Sequence, residues 1–382
     1  MCKSFYLNMK IVRFVFACLL AINALSACRE TEIPSAAVNA DSIAGFYLLN
    51  EGNKGSNRCT LDYYDYHREI YIKNVFAERN PGMVESLGDL GNDLQRYGSK
   101  LYAVVNCSNL VEVIDVATAK HIGRVSVPNC RYIVFQDGYA YVSSYAGPVD
   151  SERDSVGYVA KIDTTSLQVV ATCKVGYQPE EMVITNGKLY VANSGCCREP
   201  DYEHTISVVD LDSFQEIGKI DVAPNLHRME LDPYGKIWVS SRGDYYDIQS
   251  MLFVIDTYGD CVIDQLDLLP CSDMTICGDS LYVLANVWSN FTQSSEVSYG
   301  IVDLTTRQIV SRSFISDGTD DQFQNPYGIA VNPQTREIFI TEARDYVSLG
   351  RIYCYTPEGR LKWQAVTGDV PSRIVFTNKP LL

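Results

Sequence analysis

Short apolar runs that close on an aspartate recur along this chain at an almost constant interval. They are Val113-Ile114-Asp115, Lys161-Ile162-Asp163, Val208-Val209-Asp210, Val254-Ile255-Asp256 and Ile301-Val302-Asp303, with the aspartates 48, 47, 46 and 47 residues apart. Each is followed by a short polar stretch, and an aspartate at a strand end can bind the backbone just beyond it and so fix a turn. Ahead of each run lies a second apolar signature that alternates as a strand does: Leu101 to Val104, Tyr139 to Val142, Leu189 to Ala192, Ile237 to Ser240 and Leu281 to Leu284. Gly-containing turns at Gly98, Gly138, Gly187, Gly235 and Gly278 open these strands.

Two further units are degenerate but readable, Gly45–Asn50 with Leu61–Asp65 and Ile338–Thr341 with Arg351–Tyr355. Seven units of about four short strands at this period predict an all-β fold, a seven-bladed β-propeller. No helical period lies between the strands, which disfavours a parallel α/β arrangement. Nothing resembles the polar end cap that a solenoid needs. The first unit begins at its Tyr-type strand and lacks an innermost one, whereas Ser372–Phe376 belongs to no unit. The C-terminal strand is therefore expected to complete the first blade and hide both sheet edges. The propeller spans 45–378.

Composition narrows the partners. The 382 residues carry 47 Asp+Glu against 32 Lys+Arg, a net charge of −15, which argues against nucleic acid because phosphate binding needs a basic face. The 26 tyrosines suit strands and an aromatic surface. At the N-terminus, Lys10 and Arg13 precede the apolar run Phe14–Ala24, which ends in Leu25-Ser26-Ala27-Cys28. This is the plan of a secretory signal peptide over 1–28, complete from Met9 onward, and its apolar run is short for a membrane span. Leu-Ser-Ala-Cys resembles the bacterial lipobox, which implies lipidation of Cys28; an ordinary signal peptide is the alternative. Residues 29–44 read as a flexible tether.

The connections divide into two classes, placed at opposite ends of the ring. The turns after the aspartates are short and interchangeable. The loops from Tyr-type to Asp-type strands, and those between blades, follow no repeat, and binding residues concentrate in such loops. Candidate ligand-binding residues there are Arg131, Tyr132, Tyr145, Glu180, His227, Arg242, Tyr245, Tyr246, Trp288, Phe291, Tyr327, Arg344 and Tyr346. Exposed rings at one end suggest a patch that tolerates apolar ligands. No catalytic residue and no metal set is assigned: the four histidines are too few for a multi-haem or multi-copper propeller, and no Cys-x-x-Cys-His occurs. Glu180 or Glu181 with His227 is the acid–base or metal pairing that an enzyme of the lactonase or lyase type would use. Ten cysteines follow Cys28, an even number that suits disulfides in an exported chain, and Cys107 with Cys130 is the preferred pair. Cys173 and Cys354 lie in strands and are expected as buried thiols.

The Leu-Tyr-Val-Ala-Asn unit at Leu189 and the Val-Val-Asp-Leu unit at Val208 resemble those of the YncE-like (YVTN-type) propellers. Asn50-Glu51-Gly52-Asn53 and Ser86-Leu87-Gly88-Asp89 resemble the lipoprotein branch of that group in Bacteroidetes, and Glu30 and Glu32 its acidic surface-export signals. The resemblance implies an outer-membrane, lipid-anchored protein at the cell surface that captures cobalamin or related corrinoids for a TonB-dependent transporter. The corrinoid would be a bound ligand and not a catalytic cofactor. Its flat ring, amide rim and single phosphate suit aromatics, Asn and Gln, and arginines such as Arg131, Arg242 or Arg344. A glycan- or protein-binding module and a metal-dependent propeller enzyme are the alternatives.

Overall fold

A computed structural model describes residues 42–83, 86–148, 155–267 and 269–382. The expected leader, Cys28 and the part of the expected tether before Ser42 lie outside the described residues. Twenty-eight strands form seven four-stranded antiparallel sheets, one per repeat unit. Among the described residues no helix is long and apolar enough to cross a membrane.

Blade 1 takes its innermost strand, Pro371–Thr377, from the chain's far end. That strand pairs with Gly45–Asn50, with Gly45 facing Thr377 and Leu48 facing Ile374. The other six blades are contiguous in sequence. Their innermost strands are Gly91–Tyr97, Cys130–Gln136, Pro179–Thr185, Leu226–Leu231, Asp273–Cys277 and Pro326–Val331 in blades 2 to 7.

The turns behave as their sequence demands. Asp115 Oδ1 accepts from the Ala117 and Thr118 backbone N–H groups at 3.1 and 2.9 Å, and Asp163 Oδ1 from Thr165 and Ser166 at 3.0 and 2.6 Å. The same bond is made by Asp210 to Ser213, by Asp256 to Gly259 and by Asp303 to Thr306. Between blades the core is aliphatic and aromatic. Tyr47 is fully buried and donates to the Val116 carbonyl of blade 2 at 2.8 Å; Tyr190 of blade 4 reaches the Thr257 carbonyl of blade 5 at 3.1 Å. Burying the ring while the hydroxyl finds a partner is what makes tyrosine suit this position. Both ends of the ring's chain lie on the face of these short turns, where the Ala44 N–H donates to the Thr377 carbonyl at 2.8 Å.

The expected Cys107–Cys130 disulfide does not form. Cys130 is fully buried with Sγ turned to the Leu110 and Val105 carbonyls at 3.4 and 3.6 Å, while Cys107 turns to Asn106 Oδ1 at 3.6 Å. A disulfide requires Cβ atoms facing each other at about 3.5–4.5 Å, and sharing one end of the ring does not provide this. No disulfide joins any of the ten described cysteines. Burial pushes the Cys130 thiol up to about 12, and Cys173 and Cys354 are likewise buried.

Candidate functional site

The site grows out of a bulge repeated around the ring. In six of the seven blades the pairing of the innermost strand shifts register near its start, between Gly91 and Asp93, Cys130 and Ile133, Pro179 and Met182, Leu226 and Met229, Pro326 and Gly328, and opposite Leu48 and Asn50. A bulge re-aims side chains at a strand end. Here it turns consecutive polar residues toward the central channel and its mouth.

The deeper layer plugs the channel. Arg228 Nη1 donates to Glu181 Oε1 at 2.8 Å and to Tyr132 Oη at 3.3 Å, and its Nε lies 3.1 Å from Asp273 Oδ1. Arg373, from the closing strand, contacts Glu181, with Asp93 and Asp273 each 3.5 Å from its guanidinium. The three carboxylates also accept backbone N–H groups of the following blade: Asp93 from Ile133, Glu181 from Met229 and Asp273 from Ile329, at 3.1, 2.8 and 2.9 Å. Blade 7 contributes Gly328 at this level, where a Cβ would lie 2.5 Å from the Ser372 carbonyl. Three carboxylates, two guanidiniums and one phenol thus lock six blades together, and buried charge is tolerated only when paired in this way.

Above the plug lies the irregular-loop end of the ring. Glu180 accepts from Tyr145 Oη at 2.6 Å and from Arg242 Nη1 at 3.2 Å, with Arg131 Nη2 at 3.4 Å. Burial pushes its carboxyl up, but Arg131 and Arg242 outweigh that and hold it below the ordinary range. His227 is buried, its Nε2 3.0 Å from Tyr132 Oη, while Nδ1 has no hydrogen-bond partner. Burial, then the charges of Arg242, Arg228 and Arg131, keep its imidazole far below its usual value and hence neutral.

Beside this cluster a cavity of 340 Å³ opens at the channel mouth. Its walls include His227, Arg242, Tyr245, Asn286, Trp288 and Tyr327, with Tyr346 at its edge. A second cavity of 360 Å³ shares Arg242, Tyr245, Ser250, Val287 and Trp288 with the first and continues outward past Tyr246 and Phe291. Together they form one cleft between the loops of blades 5 and 6. Trp288, Tyr246 and Phe291 are 42, 47 and 65% exposed. Trp288 Nε1 donates to Asn290 Oδ1 at 2.9 Å, and the Tyr246 and Phe291 rings meet edge to face at 5.8 Å. Tyr327 donates to Glu51 at 2.8 Å, whose carboxyl burial raises to about 7 against the pull of Tyr327 and Arg228.

Of the residues expected from sequence, His227, Arg242, Tyr245, Tyr246, Trp288, Phe291, Tyr327 and Tyr346 line the cleft, and Arg131, Tyr145 and Glu180 make the adjoining ion cluster. Tyr132 belongs to the plug. Arg344 lines neither cavity; its carbonyl accepts from Asn325 Nδ2 at 2.5 Å. Sequence patterning does not point to the plug residues Asp93, Arg228, Asp273 and Arg373, although each stands immediately before an apolar residue of its strand, Leu94, Met229, Met274 and Ile374. Among the described residues no group of three or more His, Cys, Asp or Glu is placed to hold a metal ion.

The chain belongs to the DUF5074 family, a domain of unknown function, whose model matches residues 44–357. No curated protein matches it. Among solved structures, the periplasmic gluconolactonase of Pseudomonas aeruginosa is similar with a TM-score of 0.62 and 13% identity, over 88% of this chain and 99% of that one. A quinoprotein alcohol dehydrogenase-like protein of Bacteroides thetaiotaomicron gives 0.59 and 16%, over 87% and 78%. Hydrazine synthase of Kuenenia stuttgartiensis gives 0.55 and 19%, over 68% and 74%. Such distant likeness establishes the propeller and leaves function to the site.

Proposed function

We propose that this member of the DUF5074 family is a ligand-binding propeller that captures corrinoid in the cleft between blades 5 and 6. Lipid on Cys28 would hold it at the outer-membrane surface, and a TonB-dependent transporter would take over the ligand. The carrying observation is the continuity of the two cavities across Arg242, Tyr245 and Trp288. A flat, partly apolar ligand with polar edges finds aromatic walls for its plane and Asn286, Gln249 and Ser250 for its amide rim. Arg242 borders both lobes and supplies the positive charge that a phosphate requires.

The polar groups at the mouth support binding over proton transfer. Glu180 is committed to two guanidiniums and a phenol, an anion fixed in place rather than a group poised to exchange protons. Calorimetry and thermal melting with cyanocobalamin test the reading. Heat of binding and a rise in melting temperature are expected; no heat and no protection would overturn it. A glycan-array signal lost in Trp288→Ala would instead favour the sugar-binding alternative, for which the exposed Trp288 and Phe291 rings are equally suited.

A further inference from the structure

Four of the ten described cysteines lie outside the buried set, Cys107, Cys196, Cys197 and Cys261, and of these Cys196 and Cys197 stand together. Cys196 and Cys197 are adjacent in sequence, both partly exposed, on the blade 4 loop that rises beside the mouth of the cleft. Their sulfurs lie 3.5 Å apart. Cys196 Sγ is also 3.4 Å from Tyr145 Oη, the hydroxyl that donates to Glu180. The loop is held in shape from below. The Cys196 N–H donates to Ser194 Oγ at 3.2 Å, and the Arg198 N–H donates to the Gly195 carbonyl at 2.8 Å. Gly195 takes φ +55°, and a Cβ there would lie 2.2 Å from the Glu203 nitrogen, so only glycine lets the chain turn here.

The electrostatics distinguish Cys196 from three of the buried cysteines. Burial raises the thiols of Cys59, Cys130 and Cys271. At Cys196 the contact with the Cys197 thiol and the charge of Arg242 outweigh burial and the Glu180 charge and bring the thiol down to about 6. Arg242, Arg131, Glu180, Tyr145 and Cys197 are the charged and titratable groups that face it. A partly exposed thiolate with a second thiol in contact is the arrangement of a nucleophile with its resolving partner.

We infer that Cys196 and Cys197 form a thiol–disulfide exchange site at the rim of the cleft, which takes small-molecule disulfides of the glutathione class. The Cys196 thiolate attacks one sulfur of the incoming disulfide, forms a mixed disulfide and expels the first small thiolate. The Cys197 thiol then loses its proton to solvent, attacks the Cys196 sulfur and expels the second. The protein's two thiols are oxidised to one disulfide, and the small disulfide is reduced to two thiols. Adjacent Cα atoms sit about 3.8 Å apart, nearer than the roughly 4.4–6.8 Å of ordinary disulfides. The product is therefore strained and readily reduced, as suits a reversible modification. None of this depends on which ligand the cleft binds.

Oxidised glutathione and intact-mass spectrometry on the purified protein provide the test. The wild type should lose two hydrogens and retain no adduct, with the new bond mapped to Cys196–Cys197. Cys197→Ser should accumulate one glutathione on Cys196, and Cys196→Ser should form neither product, both variants keeping the wild-type circular dichroism. The alkylation rate of Cys196 should level off with a midpoint near pH 6, against about 8.5 for a peptide thiol. An adduct on Cys197→Ser at any other cysteine in preference to Cys196, failure of Cys197→Ser to trap one, or a midpoint above about 8 would each overturn the proposal.

Discussion

Tyr132 of blade 3 and His227 of blade 5, 95 residues apart, meet across the channel mouth with 3.0 Å between Oη and Nε2. The phenol accepts from Arg228 below and shares a hydrogen bond with the imidazole above, and so joins the charged plug to the wall of the cleft. Tyr132→Phe removes only the oxygen and leaves a guanidinium N–H and an imidazole nitrogen without this partner. A loss of about 1–3 kcal/mol in unfolding free energy is expected from denaturant titration.

Arg373 should matter more than any surface cation. Replacing it with Met leaves the Asp93, Glu181 and Asp273 carboxylates with Arg228 alone, and breaking a buried ion cluster from one side costs about 3–5 kcal/mol. The urea midpoint should fall accordingly. An unchanged midpoint would mean that the plug contributes little to ring closure.

Acidification should weaken the fold through His227. The folded ring resists protonation, whereas the unfolded one titrates near its ordinary value of 6.5. Below that value the unfolded state binds a proton that the folded state does not, so stability present above pH 6.5 is lost as pH falls. His227→Gln should show a shallower decline in melting temperature over the same window.

Glu230, facing the opposite mouth of the channel, works in the other direction. Burial, reinforced by the Asp273 charge, raises its carboxyl to about 8. Its raised value favours the fold fully below 4.5, and this contribution is lost as pH rises toward 8. Glu230→Gln should therefore melt higher than the wild type above about pH 8, with the advantage gone in acid.

For the cleft, Trp288→Ala should weaken corrinoid binding about tenfold or more, since interfacial tryptophans carry a large share of binding energy. The side chain is 42% exposed, so the melting temperature should change little. Equal affinity of variant and wild type would place the ligand elsewhere.

The blades were legible because their determinants are local. An aspartate that ends a strand binds the N–H groups two or three residues on wherever it stands, so Asp115 and Asp303 announce the same turn. Closure was legible as well, since Ser372–Phe376 was a strand without a blade. The plug was not, because a one-residue register shift decides whether Asp93 or Arg228 faces the channel, and apolar alternation carries no record of that shift. Arg344 shows the converse limit: a cation in an irregular loop is placed by the course of its backbone, which no repeat predicts. The thiols misled because sequence gives their number and neighbourhood, whereas pairing depends on the direction of each Cβ.

Because the ring is closed by the chain's own far end, Ala44 and Thr377 leave it side by side among the short turns. The polypeptide therefore enters and leaves the ring on the face opposite the cleft, so that whatever is joined to either end leaves the aromatic mouth unobstructed by the linkage.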